Sequence, residues 1–167
     1  TFTPSKTPTL TPSYTPTNTP TPTVTATPLM IMVNIVFPDK QPSINGPLPV
    51  EKAVTRQILS SIPPLNAVID EYFSGPTAAE QNAGVTAVWN GFIGYDRIEL
   101  SNGILRIYLK GQCQPNGTAY SIAQPLSATV KQFPDVKYVK LYDEFGRTRN
   151  PFDQVDSAPV CLDVIFT

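Results

Sequence analysis

The stretch Met30 to Phe37 is apolar at every position except Asn34, rich in β-branched residues, and closed by the turn pair Pro38-Asp39. That pattern predicts a β-strand. Because both of its faces are apolar, the strand is expected either to lie buried between layers or to pair with something beyond its own sheet. Met30, Met32, Ile35 and Phe37 are therefore candidates for contacts between subunits by strand addition. The next segment, Gln41 to Pro47, holds Pro42, Gly46 and Pro47 and reads as a loop. From Leu48 to Ile58, Val50, Val54 and Ile58 alternate imperfectly with charged neighbours. A second strand is expected there, with a helix as the competing reading.

At Pro64 the period changes. Leu65, Val68, Ile69, Tyr72 and Phe73 recur at the spacing of one helix face. Pro64 suits the first turn of that helix, and Gly75-Pro76 stops it. Thr77-Ala-Ala-Glu80 matches a capping box and predicts a short second helical turn. The segment Asn82 to Gly94 is irregular, with Trp89 and Phe92 set among glycines. These two aromatics are candidates for stacking a ligand, although the first reading of Trp89 is a lid on the core. Asn102-Gly103 between two alternating runs, Arg97 to Leu100 and Ile104 to Lys110, predicts a tight hairpin. Ile122, Leu126, Val130 and Phe133 predict a helix reaching about Gln132, with Pro125 in its first turns. Strands are expected over Val136 to Tyr142 and Val160 to Phe166, separated by a turn at Asp143 to Gly146. The order β β α β β α β, then a loop and a last strand, argues for α+β: one mixed sheet with two main helices packed against it.

None of this describes residues 1–28. There Pro4, Pro8, Pro12, Pro16 and Pro20 are each preceded by Thr on a four-residue frame. Proline fixes φ, removes a donor and pushes its predecessor to extended geometry, so an extended polyproline II leader is expected. The chain thus divides into a Thr/Pro-rich stalk or linker, 1–28, and a single domain, 29–167. Ser/Thr-rich tracts with proline are the composition of O-glycosylated stalks, and Thr3, Thr7, Thr11, Thr15, Thr19, Thr21 and Thr27 are the candidate acceptors. The sequence starts inside the repeat and shows no signal peptide, so it reads as a mature or trimmed piece of an exported precursor.

The 167 residues carry a net charge of −1 with the basic positions scattered. No nucleic-acid partner is expected from that distribution. The chain has no histidine, which removes the usual nucleophile–histidine arrangements and the commonest zinc ligand. No cofactor, metal or catalytic motif stands out. Acids near the end (Asp143, Glu144, Asp153, Asp156, Asp163) lack a calcium-loop pattern and read as a solvated loop. The longest apolar run is too short to cross a bilayer, so no membrane span is expected. Cys113 and Cys161, on an exported chain, predict a disulfide worth about 4 kcal/mol in the loop-entropy model, with two buried free thiols as the alternative. Asn116-Gly-Thr118 forms a sequon for N-glycosylation.

Five segments in order carry a resemblance: Ile35-Val-Phe-Pro-Asp39, Leu48-Pro-Val-Glu51, a helix ending in Phe73-Ser-Gly-Pro-Thr77, the Asn102-Gly103 hairpin, and Val130-Lys-Gln-Phe-Pro-Asp-Val-Lys-Tyr-Val139. Together they resemble the GerMN domain of spore-germination GerM-like proteins and bacterial envelope lipoproteins, over about Met30 to Gly146. The resemblance implies a non-enzymatic module outside the cytoplasmic membrane, held on a flexible tether. The expected function is that of a bacterial cell-surface structural protein: an O-glycosylated stalk plus a self-associating domain, the subunit of a fibre. The alternative is a monomeric tethered module that binds peptidoglycan, another glycan or a protein.

Overall fold

The computed structural model describes residues 29–42 and 49–163, together with Phe2. The predicted leader, its threonine acceptors and most of the first predicted loop lie outside the described residues. Strand β1 (Met30–Pro42) pairs antiparallel with β2 (Pro49–Leu59), placing Met30 opposite Leu59, Ile35 opposite Val54 and Phe37 opposite Lys52. Helix α1 (Pro64–Ser74) follows, with proline in its first turn and Gly75 at its end. Gly75 adopts φ 76°, a conformation that favours residues without a Cβ. The short helix α2 (Ala78–Asn82) carries the predicted capping box, with the Thr77 side chain accepting from Glu80 N and the Glu80 side chain accepting from Thr77 N.

Strands β3 (Phe92–Ser101) and β4 (Ile104–Gly111) form the predicted hairpin. Asn102 and Gly103 both have positive φ, 52° and 78°, as a tight two-residue turn of matching twist requires. Helix α3 (Ala123–Val130) then crosses over to β5 (Tyr138–Tyr142), which pairs parallel with β4. A parallel pair needs such a crossover, because no tight turn can return the chain in the same direction.

The α+β class is as expected, and the order β β α α β β α β is the expected one with the capping-box turn added. The strands divide, however, into two hydrogen-bonded sheets, β1-β2 and β3-β4-β5, rather than one. A single core lies among them and the helices: Val33, Ile35 and Phe37 from β1, Val68, Ile69 and Tyr72 from α1, Leu105, Ile107 and Leu109 from β4, Leu126 and Val130 from α3. The rings of Phe37 and Tyr72 stack at 5.3 Å between centroids.

The predicted terminal strand is a correction. Val160–Leu162 forms a single 3₁₀ turn, and residues 164–167 lie outside the described part. The sheet edge that such a strand would join is already taken: Ser157 N donates to Val139 O and Leu141 N donates to Ser157 O. Cys161 is instead tied to Cys113 by the expected disulfide, with Cα atoms 6.4 Å apart.

Candidate functional site

Strand β1 is where sequence and structure differ most in what they offer a partner. Cross-strand neighbours share a face, so Ile31, Val33, Ile35 and Phe37 point inward, while Met30, Met32, Asn34 and Val36 point outward. Ile35 and Phe37 are completely buried in the core, and of the four proposed contact residues only Met30 and Met32 reach the surface, 45% and 61% exposed.

The edge of β1 opposite β2 is mostly covered. Gln132 brackets Asn34, its side chain accepting from Asn34 N (3.0 Å) and donating to Asn34 O (2.8 Å). Val36 N donates to Thr129 Oγ1 at 2.9 Å. Further along, Thr86 N donates to Pro38 O and Lys40 N donates to Gly84 O. Backbone groups of even-numbered residues therefore face this edge, and those of Met30 and Met32 have no partner among the described residues. Leu29, Leu59 and Ile62 are also exposed at this end of the hairpin, beside a depression of about 270 Å³ lined by Met30, Ile62, Ala67 and Asp70.

The two proposed ligand-stacking aromatics separate. Phe92 is 2% exposed and belongs to the core, whereas Trp89 is 38% exposed. The benzo edge of the indole lies over Gly75, where any added Cβ would stand 3.0 Å from Trp89 Cζ2 and 3.3 Å from Cη2. Trp89 thus lids the end of α1. In the same loop Asn90 is buried with φ 49°. Its Oδ1 accepts from Ile122 N at 2.9 Å and its Nδ2 donates to Gln114 O at 3.1 Å, which docks the start of α3 on this loop.

Arg56, on the inner face of β2, holds the Gly75-Pro76-Thr77 corner. Its Nη1 donates to Glu71 Oε2 (2.7 Å), and its Nη2 donates to Gly75 O (2.8 Å) and Glu80 Oε2 (2.7 Å). Glu80 is pushed up by burial but pulled further down by the Thr77 N–H and by Arg56, so its carboxyl sits below the usual range. Nothing in the local pattern announced Arg56, since its three partners come from two other elements.

A strap from Arg147 to Asp163 covers the outer side of β5. Lys140 is fully buried beneath it, with Nζ donating to the carbonyls of Asn150 and Val155. Burial lowers its pKa, an effect partly offset by Asp153. The strap is fastened by the disulfide and by Asp156 accepting from Val139 N (3.0 Å) and pairing with Lys131, and the Arg149–Asp163 ion pair ties its two ends together. Thr148 and Ser157 hydroxyls meet inside it at 2.6 Å.

Between the strap and α3 runs a trough. Two adjoining depressions of about 480 and 490 Å³ share Ala123, Gln124, Arg149 and Ala158 as walls. One end carries Leu162, the other Lys131 and Glu51. Half of its lining is alanine and serine, and its charges are the Lys131–Asp156 and Arg149–Asp163 ion pairs and the carboxylate of Glu51. Sequence periodicity marked the buried side of α3 but gave no signal for this outer side.

The late acids serve as local fasteners. Asp143 accepts from the backbone of Phe145 and Arg147, both at 2.9 Å, and pairs with the Arg147 side chain. Among the described residues no three His, Cys, Asp or Glu side chains are grouped to hold a metal ion. The sequon lies on an exposed loop, where Asn116 Nδ2 donates to Tyr120 O and its Oδ1 accepts from Thr118. No described helix is long and apolar enough to cross a membrane.

No protein-family description and no curated protein matches the chain by sequence. A solved structure does match: the tandem GerMN domains of the sporulation protein GerM from Bacillus subtilis, at 15% identity and a TM-score of 0.54, over 83% of this chain. The chain spans under half, 45%, of that structure. The architecture built above from two small sheets, the Gly-Pro-Thr corner and the α3 crossover is therefore a GerMN-like fold.

Proposed function

We propose that this protein is an exported, non-catalytic structural module that assembles with copies of itself, the domain 29–167 forming the contacts and the leader 1–28 acting as an O-glycosylated connector in a surface fibre. The observation that carries the reading is the open end of β1. Most of that edge is closed by α3 or by residues 84–86, yet at Met30 and Met32 the outward backbone groups remain unpaired among exposed apolar side chains. Native sheets ordinarily blunt such an edge with charge, proline or a bulge, because it templates pairing with another chain.

The disulfide supports export, since such bridges persist in oxidising compartments. The solved structure that shares the fold carries two GerMN domains in tandem, and pairing of copies here would likewise bring two such domains together. The contact is short. Interfaces below about 1,200 Å² are weak and transient, so association is expected to depend on concentration. Two identical β1 edges pair about a two-fold axis and close a dimer; extension into a fibre needs a second, heterologous contact.

Negative-stain electron microscopy of the full chain at rising concentration tests the reading. Elongated particles that become fewer in Met32→Lys, with the thermal midpoint unchanged, are expected. Uniform single domains at every concentration contradict it. Intact mass of the native protein tests the connector, which is expected to carry added hexose or hexosamine masses; an unmodified mass removes that part of the proposal.

A further inference from the structure

We propose that the trough between α3 and the strap is a binding site for the Thr-Pro leader, residues 1–28, of a second copy of the chain. Three observations carry it. The first is charge. Arg149 and Lys131 on the rim are already neutralised by Asp163 and Asp156, which leaves the Glu51 carboxylate as the one trough charge without an ion pair among the described residues, and Lys6 is the one charged side chain in residues 1–28, so a nearly uncharged segment with a single cation is complementary.

The second is hydrogen bonding. A Thr-Pro chain is rich in carbonyl acceptors and poor in donors, because each proline lacks an N–H. Arg149 and Lys131 keep N–H groups beyond those used in their ion pairs, as guanidinium has five and ammonium three. Acceptor-rich ligand and donor-bearing wall are complementary.

The third is length and shape. From Ala123 to Lys131 the exposed face of α3 runs about 12 Å at ~1.5 Å per residue, which equals about four residues of polyproline II at ~3.1 Å each. That is one Thr-Pro-x-x repeat. The small side chains of Ala123, Ser127, Ala128 and Ala158 leave room for a proline ring and a threonine, and any repeat whose threonine carries no sugar can occupy the same site.

Occupation by a second copy follows from stiffness. Proline at every fourth position from Pro4 to Pro20 leads us to expect an extended leader, one that reaches a neighbouring copy in preference to turning back on its own α3. The contact joins unlike surfaces and so extends without closing. It supplies what β1 pairing lacks, and it stands whether or not the β1 edges pair.

The experiment places a photo-crosslinking benzoylphenylalanine in the full chain at Ser127, and separately at the exposed Gln124, with Lys110 on β4 as control. Equal amounts of ¹⁵N-labelled and unlabelled protein are mixed, irradiated and mapped by peptide mass. Adducts from 127 or 124 to peptides within residues 1–28, including mixed-isotope pairs, are expected, with loss of adduct when excess synthetic peptide 1–28 is added. The same adducts in the Met32→Lys background separate this contact from the β1 edge. Adducts only within one copy, adducts equal to those from Lys110, or none to the leader each overturn the proposal.

Discussion

Replacing Arg56 with methionine perturbs the tie between β2, α1 and the corner that leads into α2. The Arg56 side chain is 12% exposed, and its partners Glu80 and Glu71 are 18% and 35% exposed. Breaking a buried pair by removing one partner costs about 3–5 kcal/mol, because the other charge stays behind. Two features pull the figure down here. Glu71 sits near the rim and recovers solvent, and Arg56 Nε has no partner, so its removal relieves a penalty of about 1 kcal/mol. Methionine keeps much of the apolar stem over Phe37. The net expectation is a loss of about 2–3 kcal/mol, equivalent to a fall of about 8–10 °C in thermal midpoint for a domain of this size. Urea unfolding followed by circular dichroism reads the first quantity and calorimetry the second. A double-mutant cycle with Glu80→Gln should show coupling above about 1 kcal/mol. A loss below about 0.5 kcal/mol, or additive effects in the cycle, refutes the assignment of Arg56 as the hub of the corner.

Glu80 also sets an acid dependence: a carboxyl held below its ordinary value stabilises the fold above that value and ceases to do so as pH falls through the folded pKa. Wild-type stability should therefore fall below about pH 4.5 more steeply than that of Glu80→Gln, measured by urea midpoints at several pH values. Removing both cysteines as Cys113→Ala/Cys161→Ala should cost up to about 4 kcal/mol by the loop-entropy model, given a separation of 48 residues. Proteolysis of that variant should cut first within the strap if the bridge fastens it. Gly91→Ala should destabilise by about 2 kcal/mol or more, since φ is +79° and the new Cβ would overlap the Gln112 carbonyl oxygen; wild-type-like unfolding would show that the loop yields.

Local chemistry was legible in the sequence wherever one short segment decides its own conformation. The capping box at Thr77 and Glu80, the Asn102-Gly103 turn and the proline-led start of α1 all formed where their residues predict. What failed depends on residues distant in the chain. Periodicity could not tell which face of Met30 to Phe37 is inward, because both are largely apolar; α1 and α3 decide it by packing on the side of Val33, Ile35 and Phe37. Val160 to Leu162 has a strand composition, but Ser157 reaches the β5 edge first. Phe92 looked available in a glycine-rich loop, yet it opens β3 and enters the core. Arg56 and Asn90, the two side chains that bind elements together, act through partners 15 to 32 residues away, beyond any window of pattern reading. The trough is invisible for the same reason, being made by a helix face and a strap joined only in three dimensions.

The central claim, association through the open end of β1, is tested most directly by sedimentation velocity of the full chain against Met32→Pro. Proline there removes an N–H that points away from β2, so the hairpin keeps its own ladder while the edge loses a donor. With excess synthetic peptide 1–28 present in both samples to occupy the trough, the account predicts that the wild-type sedimentation coefficient rises with concentration while that of Met32→Pro stays at the monomer value with an unchanged thermal midpoint. A wild-type protein that sediments as a monomer throughout, or a Met32→Pro protein that associates equally well, contradicts it.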